Sequence, residues 1–230
     1  MKKIGLVGGM TPEATRGYYD ILIGLGRERL NGALNNPVIL IYSINLSEVA
    51  SYLSAGRSDR AVDLLVDVLE SLRRAGAEIG ALTANTPHLY FDQIAPRTSL
   101  PLVSILDSTF ERARKVGCRK ALLLGTDRTM VSDMYPKRLA AGSIAVVVPE
   151  EDERQHVDRS IFEELSVGLV KDETRARYLE ICRRHIERGA DAIILGCTEL
   201  PLLHLDADLP VPLIDTAQAH AEAIFEAAWP

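Results

Sequence analysis

The sequence predicts an α/β protein of two similar halves, each with a mostly parallel four-stranded sheet flanked by helices. Three observations lead to this prediction. Short apolar segments alternate with amphipathic ones, the strand-like segments end in glycine or small polar residues, and the second half repeats motifs of the first in the same order. Alternating strands and helices are typical of parallel sheets, because parallel strands need long crossover connections.

The chain opens with an apolar segment, residues 3–7, that ends in Gly8-Gly9 and predicts a buried parallel strand. Thr11-Pro12-Glu13 follows with residue types preferred at the N-cap, the first turn and the positive end of a helix. We therefore predict a helix over residues 12–30.

The rest of the chain continues the alternation. Apolar residues at helical spacing predict helices over residues 59–75 and 175–188. Apolar segments bounded by turn residues predict further strands. These lie at residues 37–43, 79–84, 100–106 and 209–215.

An internal repeat with an offset near 113 residues relates the two halves. The corresponding segments are residues 3–9 with 120–126, 76–79 with 189–192, and 84–87 with 197–201. We interpret the repeat as a duplication that gives two domains related by a pseudo-twofold axis. The alternative is that such similarities between two halves occur by chance in any α/β chain. The predicted boundaries assign residues 1–100 with about 211–230 to the first domain, and 101–210 to the second.

The composition excludes several classes of protein. The chain has 230 residues, 47% of them hydrophobic, and a formal net charge of −6, which argues against general nucleic-acid affinity. No apolar run approaches the about 20 residues of a membrane span, and the first apolar run, broken by glycines, is a strand rather than a signal peptide. Three cysteines without zinc-ligand spacing predict neither a disulfide scaffold nor a metal site. We expect a soluble, cytoplasmic protein without nucleic-acid or membrane partners.

Small or hydroxylic residues follow four predicted strands: Gly8-Gly9, Ala84-Asn85-Thr86, Gly125-Thr126 and Cys197-Thr198. In open parallel sheets, ligands bind beyond the carboxyl ends of the strands. Backbone N–H groups at such positions can bind an anion such as a carboxylate. The sequence therefore predicts a ligand site in the cleft between the two domains.

Cys197 follows an apolar strand at a strand-to-helix turn, where a helix N-terminus lowers a thiol pKa and favours the reactive thiolate. The alternative is a buried, inert cysteine, the usual state of a free thiol. We interpret Cys118 and Cys182 as inert.

Several polar residues near the strand ends have two interpretations each. Asn85 and Thr86 can cap a helix or bind a ligand carboxylate. His88 can act as an acid or base or hydrogen-bond locally. Lys171 can bind a carboxylate or face solvent, and Glu199 can orient its loop or repel a second anion.

Three groups of residues resemble motifs of the aspartate/glutamate racemase family: Gly8-Gly9-Met10 with Glu13 and Thr15, Asn85-Thr86, and the segment from Leu195 to Glu199. The resemblance covers essentially the whole chain. It implies two α/β domains with the active site between them, an amino-acid substrate and no pyridoxal phosphate or metal. It also implies a homodimer.

The resemblance further implies roles for individual residues. Cys197 corresponds to the second of the family's two cysteines, one of which removes the α-proton while the other returns a proton from the opposite face. The residues that match carboxylate-binding positions are Asn85, Thr86 and Thr198. Those near other substrate contacts are Met10, Thr126 and Lys171.

The chain departs from the family pattern where the first cysteine belongs, because Ala84 stands there, preceded by Thr83. Alanine cannot carry a proton. One interpretation is a one-cysteine racemase, similar to the broad-specificity branch, in which Thr83, His88 or a water serves the second face. Thr83 alternates with Ala84 along the strand, which weakens its candidacy. A second interpretation is an inactivated Cys-to-Ala variant that only binds ligand. A third is a one-cysteine decarboxylase or isomerase.

The substrate side chain is not specified by the sequence. Some family members carry an arginine in the loop after residues 43–45, where this chain has Leu46-Ser47-Glu48. Glu48 favours a basic substrate side chain or simply faces solvent. Aspartate, glutamate and broader specificity therefore all stay open.

Overall fold

A computed structural model describes residues 1–29 and 34–229. The chain divides into two compact units. Unit 2 comprises Leu106–Ala219, and unit 1 comprises Met1–Ile105 with the chain from His220 onward. Each unit contains one parallel sheet flanked by helices. The predicted α/β fold class is confirmed.

Unit 1 begins with a regular alternation of strands and helices. In chain order its elements are β1 (Ile4–Gly8), α1 (Pro12–Arg29), β2 (Ile39–Ser43), α2 (Leu46–Ser54), α3 (Ser58–Arg74), β3 (Ile79–Leu82), a 3-10 helix (Thr86–Tyr90), α4 (Phe91–Ile94) and a 3-10 turn (Ala95–Arg97). The helix predicted over residues 12–30 is found. Its predicted last residue, Leu30, lies outside the described residues.

The described part of unit 1 forms a three-stranded sheet in the order β2-β1-β3. Ile4 of the central strand pairs with Ile39 of β2 and with Ile79 of β3. The buried face of α3 packs against this sheet in the core of unit 1, together with residues that include Val7, Leu82 and Ile94. This packing fixes the ends of β1 and β3, which carry the predicted site residues.

The fourth strand predicted for this sheet, at residues 100–106, is wrong. Leu102 joins β3 only through an isolated bridge to Gly80. Gly80 N–H donates to Pro101 O (2.8 Å), and Val103 N–H donates back to Gly80 O (3.0 Å). Proline has no N–H to extend a ladder, and α5 (Ile105–Lys115) begins two residues after Val103.

Unit 2 repeats the alternation with a four-stranded sheet. Its elements after α5 are β4 (Lys120–Leu124), α6 (Asp127–Val131), α7 (Met134–Ala140), β5 (Ala145–Val147), α8 (Glu151–Glu163), a 3-10 turn (Leu165–Val167), α9 (Asp172–Glu187), β6 (Ala192–Leu195), 3-10 segments (Leu200–Leu203 and Asp206–Asp208) and β7 (Leu213–Asp215). The last helix, α10 (Thr216–Ala228), begins in unit 2 and continues from His220 in unit 1. The strand order is β5-β4-β6-β7, and all pairs are parallel.

The first three strands of each unit have the same arrangement, because β1 lies between β2 and β3 just as β4 lies between β5 and β6. In the parts of the chain that the structure describes, no helix has the length and apolarity needed to cross a bilayer. Within the same residues, no cluster of three or more His, Cys, Asp or Glu side chains is placed to hold a metal ion.

Candidate active site

The end of β1 is a tight turn held by Thr15. The Thr15 hydroxyl accepts a hydrogen bond from Gly9 N–H (2.8 Å) and donates to Thr11 O (3.0 Å). A Cβ on Gly8 would lie 2.5 Å from the Thr15 methyl carbon. Gly9 has a φ of +87°, and a Cβ there would lie 2.3 Å from Ile44 O, so this turn requires glycine. It places Met10 partly exposed at the start of α1, where it also packs on the core of unit 1.

The end of β3 carries Thr83 to Thr86. Thr83 is fully buried, and its hydroxyl donates to Val7 O (3.0 Å), so it faces the neighbouring strand. Ala84 and Asn85 are also buried, whereas Thr86 is partly exposed. Asn85 precedes the 3-10 helix with φ −72° and ψ −49°, rather than with the extended backbone of a capping residue. The Asn85 side chain therefore does not cap this 3-10 helix.

The end of β4 is shaped by helix capping. Thr126 is the N-cap of α6, and its hydroxyl accepts from Thr129 N–H at 3.4 Å. Thr126 and Thr129 hydroxyls lie 3.1 Å apart. Thr126 is thus partly exposed at the strand end, but its hydroxyl already serves α6.

The end of β6 carries a compact group of three polar side chains. The Cys197 thiol donates to Glu199 Oε2 at 2.9 Å, and the Thr198 hydroxyl donates to the same oxygen at 2.8 Å. Glu199 is 6% exposed, whereas Cys197 and Thr198 are partly exposed. One buried carboxylate oxygen thus accepts hydrogen bonds from both neighbouring side chains.

The prediction of a lowered thiol pKa at Cys197 is wrong. Burial of the thiol raises the Cys197 pKa well above its ordinary value, and the Glu199 carboxylate raises it further. The physical reason lies in the turn itself, which leads into the short 3-10 helix Leu200–Leu203 and brings a carboxylate to the sulfur. Cys197 therefore rests as a neutral thiol.

The other two cysteines are buried, in agreement with their interpretation as inert. Desolvation raises the pKa of Cys182 and of Cys118 to about 12, with a further contribution from Asp191 to the latter. Neither thiol is available as a thiolate near neutral pH.

Lys171 is exposed and precedes α9, and its ammonium group lies 3.0 Å from Glu164 Oε1. Thr174 donates to the other oxygen of the same carboxylate at 2.6 Å. These two donors, Thr174 first, lower the pKa of Glu164. A substrate carboxylate bound by Lys171 would therefore compete with Glu164.

Comparison with known proteins gives a match over almost the whole chain. The family described as Asp/Glu/Hydantoin racemase matches residues 7–224. The chain belongs to the Asp/Glu/hydantoin racemase family. The resemblance stated from the sequence motifs is thereby confirmed.

Individual relatives of this racemase family are similar over their full lengths. An aspartate racemase homologue from Pyrococcus horikoshii OT3 is 40% identical, with a TM-score of 0.88 and 99% of each chain covered. A candidate Asp/Glu racemase from Yersinia pestis is 35% identical, with a TM-score of 0.93 and 99% of each chain covered. The broad specificity amino-acid racemase RacX of Bacillus subtilis (strain 168) is 27% identical over 96% of this chain and 95% of its own.

Two features of this racemase-family chain were missed by sequence reasoning. Glu199 was weighed as a loop-orienting residue or a repelling charge, not as the acceptor of the Cys197 proton. The available signal was the short spacing of the two residues at a strand end, where a tight turn brings side chains i and i+2 together. The second feature is the turn-holding role of Thr15, indicated by its position one helical turn after Thr11.

Proposed function

We propose that this chain is a cofactor-independent amino-acid racemase or epimerase in which Cys197 exchanges a proton with the substrate α-carbon. Membership of the racemase family supports the reaction class. The observation that carries the assignment of Cys197 is its 2.9 Å hydrogen bond to Glu199 at the end of β6. This pair supplies both a proton donor and a place for that proton to go.

The chemistry of the pair runs in two directions. In one, the Cys197 thiol passes its proton to Glu199 Oε2, and the resulting thiolate removes the α-proton, leaving a carbanion and a thiol. In the other, the resting thiol donates its proton to a carbanion. Burial acts on the first direction, because a desolvated thiolate, once formed, is a stronger base toward the α-proton than a solvated one.

The second face of the substrate requires another proton carrier, and Ala84 cannot supply one. Thr83 donates its hydroxyl proton to Val7 O, and both ring nitrogens of His88 have backbone partners. Of the three groups considered from the sequence, we therefore assign this role to a water molecule beside Ala84.

The substrate carboxylate is assigned to Asn85, Thr86 and Thr198, with backbone and side-chain donors at the strand ends. The Thr198 hydroxyl donates to Glu199, so it must rotate before it can donate to a substrate. Met10, Thr126 and Lys171 are assigned to the remainder of the amino acid. Glu48 is exposed and accepts a hydrogen bond from the Tyr52 hydroxyl at 3.3 Å, and its carboxylate is assigned to a basic substrate side chain.

A second candidate function is a one-cysteine decarboxylase or isomerase. The neutral state of the Cys197 thiol favours this alternative, since protonating one face of a carbanion needs only a thiol. A ligand-binding protein inactivated by loss of the first cysteine is the third possibility.

Deuterium exchange at the α-carbon in D₂O separates these functions. We expect the parent protein to exchange the α-proton of at least one amino acid among aspartate, glutamate and lysine, as measured by proton NMR. Cys197→Ala should abolish the exchange, whereas the control Cys182→Ala, at a buried site in α9, should retain it. Decarboxylation of a malonate without exchange would assign the lyase, and carboxylate binding without either reaction would assign the inactivated protein.

We further propose that the protein is a homodimer in the cytoplasm. The proposal of a dimer rests on three large apolar side chains in or beside the edge strand β2. Val38, Ile41 and Tyr42 are 42–57% exposed, and uncharged sheet edges are usually covered. The proposal of a cytoplasmic location rests on the three free cysteines, which suit a reducing compartment. Analytical ultracentrifugation of the parent and of Ile41→Lys tests the dimer, and a monomeric parent would contradict it.

A further inference from the structure

The His88 imidazole joins two backbone groups that are far apart in sequence. Ile105 N–H donates to His88 Nε2 at 3.1 Å, and His88 Nδ1 lies 2.8 Å from Ala84 O. A carbonyl oxygen only accepts and an amide N–H only donates. The ring must therefore be the neutral tautomer that carries its proton on Nδ1.

The ring is held on its faces and edges as well. His88 is 2% exposed, stacks on Phe91 with centroids 5.2 Å apart, and meets the edge of His220 at 5.7 Å. His220 is itself fixed, because its Nε2–H donates to Val103 O and its Nδ1 accepts from the Tyr18 hydroxyl, both at 2.9 Å. Burial and the neighbouring His220 lower the pKa of His88 to about 3, so the neutral ring persists at neutral pH.

The hydrogen bond from His88 Nδ1–H reaches the carbonyl of Ala84, just after the end of β3, where the proposed substrate-binding residues lie. Ala84 is the position of the family's first cysteine, and Asn85 and Thr86 follow it. We propose that His88 is a positioning residue whose bond to the Ala84 carbonyl fixes the Ala84–Thr86 segment for binding of the substrate carboxylate. This inference rests on the proposed function, which assigns that carboxylate to Asn85 and Thr86.

Two variants separate the two hydrogen bonds of the ring. In His88→Asn, the side-chain amide occupies the place of Nδ1 and can still donate to Ala84 O, but the acceptor for Ile105 is lost. In His88→Gln, the amide reaches the place of Nε2 and can still accept from Ile105 N–H, but the donor to Ala84 is lost. A purely structural role predicts the same kinetic effect for both, because each variant loses one buried hydrogen bond.

We expect His88→Gln to raise the KM for the amino acid about tenfold, the effect of about one misplaced hydrogen bond, with kcat within about threefold of the parent. His88→Asn should keep KM within about threefold. The matched control is His220→Gln, which alters the same buried cluster but leaves both bonds of His88 in place, and it should leave KM unchanged. Equal KM values for the two His88 variants would overturn the proposal.

The protonation state of the His88 ring in the parent protein gives a second test that does not depend on folding of the variants. NMR of protein labelled with ¹⁵N-histidine should show a neutral Nδ1–H ring for His88 and a neutral Nε2–H ring for His220. An Nε2–H ring at His88 would overturn the proposal. A parent that exchanges no amino-acid proton and binds no amino acid would instead overturn the proposed function, and the positioning role with it.

Discussion

The Cys197 thiol and the Glu199 carboxylate, two residues apart on one turn, share a hydrogen bond of 2.9 Å with the thiol as donor. The thiol proton therefore has a defined acceptor. The thiol is neutral at rest because desolvation and the neighbouring Glu199 carboxylate raise its pKa. Reactivity at this cysteine depends on moving that proton, not on a standing thiolate.

Replacing the carboxylate should therefore have opposite effects on thiolate formation and on catalysis. Glu199→Gln removes the charge that helps to raise the Cys197 pKa, so iodoacetamide should label Cys197 about tenfold faster at pH 8. Racemisation should fall about 10²-fold, because the proton acceptor is lost. The control Glu163→Gln, at an exposed position in α8, should change neither rate. Slower labelling of Glu199→Gln would contradict the role given to this carboxylate.

The substitution Ala84→Cys tests which group returns a proton to the second face of the substrate, because the family resemblance places a first cysteine at this position. If a water beside Ala84 carries the proton, Ala84→Cys displaces it by a thiol, and we expect the racemisation rate to change by less than about threefold. The measurement is the rate of optical inversion of the amino acid that the parent exchanges. A rise of 10²-fold or more, of the order expected for adding a missing acid or base, would identify the chain as an inactivated two-cysteine racemase.

The buried histidines should make the protein sensitive to mild acid. Burial lowers the pKa of His88 to about 3 and of His220 to about 4, both below the ordinary value of 6.5. Between those values and 6.5 the unfolded chain binds more protons, so the free energy of unfolding falls as pH falls, by up to about 1.4 kcal/mol per pH unit for each histidine. Above about pH 7 both histidines are neutral in the folded and the unfolded chain, so the free energy of unfolding should not depend on them.

Urea denaturation at pH 7, 6 and 5 measures this dependence. His220→Gln should reduce the slope between pH 6 and 5, whereas His204→Gln, at an exposed position in unit 2, should leave it unchanged. An identical slope in the parent and His220→Gln would show that His220 is not neutral in the folded protein.

Glycine at the end of β6 should be essential for stability. A Cβ on Gly196 would lie 2.8 Å from Leu124 O, in a backbone contact that cannot move aside. Gly196→Ala should therefore lower the free energy of unfolding by about 1–3 kcal/mol. The matched substitution Gly17→Ala, where a Cβ meets nothing within 4 Å in α1, should raise it by about 0.5–1 kcal/mol. Thermal denaturation measures both, and equal shifts would contradict the packing argument.

The features of this fold that depend on local pattern were predictable. The alternation of strands and helices and the capping residues at the start of α1 are local in sequence. The repeat between residues 84–87 and 197–201 is visible when two short segments are compared. The absence of a fourth strand from the described part of the first sheet was not predictable in the same way, although Pro101 argued against a strand there. An apolar segment beside proline has the composition of a strand, and only the early start of α5 decides that it forms a single bridge.

The state of the site residues was less predictable than their identity. The family motifs led to Cys197, but its pKa depends on how far the thiol is desolvated and on the direction of the Glu199 side chain. The two interpretations of His88 likewise depended on whether backbone groups at Ala84 and Ile105 would meet its ring. These are tertiary facts, since Ile105 lies 17 residues beyond His88.

The neutral resting thiol has a consequence for the lifetime of the protein in a cell. Peroxides and electrophiles attack thiolates far faster than thiols, so oxidation to a sulfenic acid requires the proton to leave first. Cys197 holds its proton in the hydrogen bond to Glu199. The arrangement that makes this sulfur a poor nucleophile at rest therefore also protects it from oxidative damage.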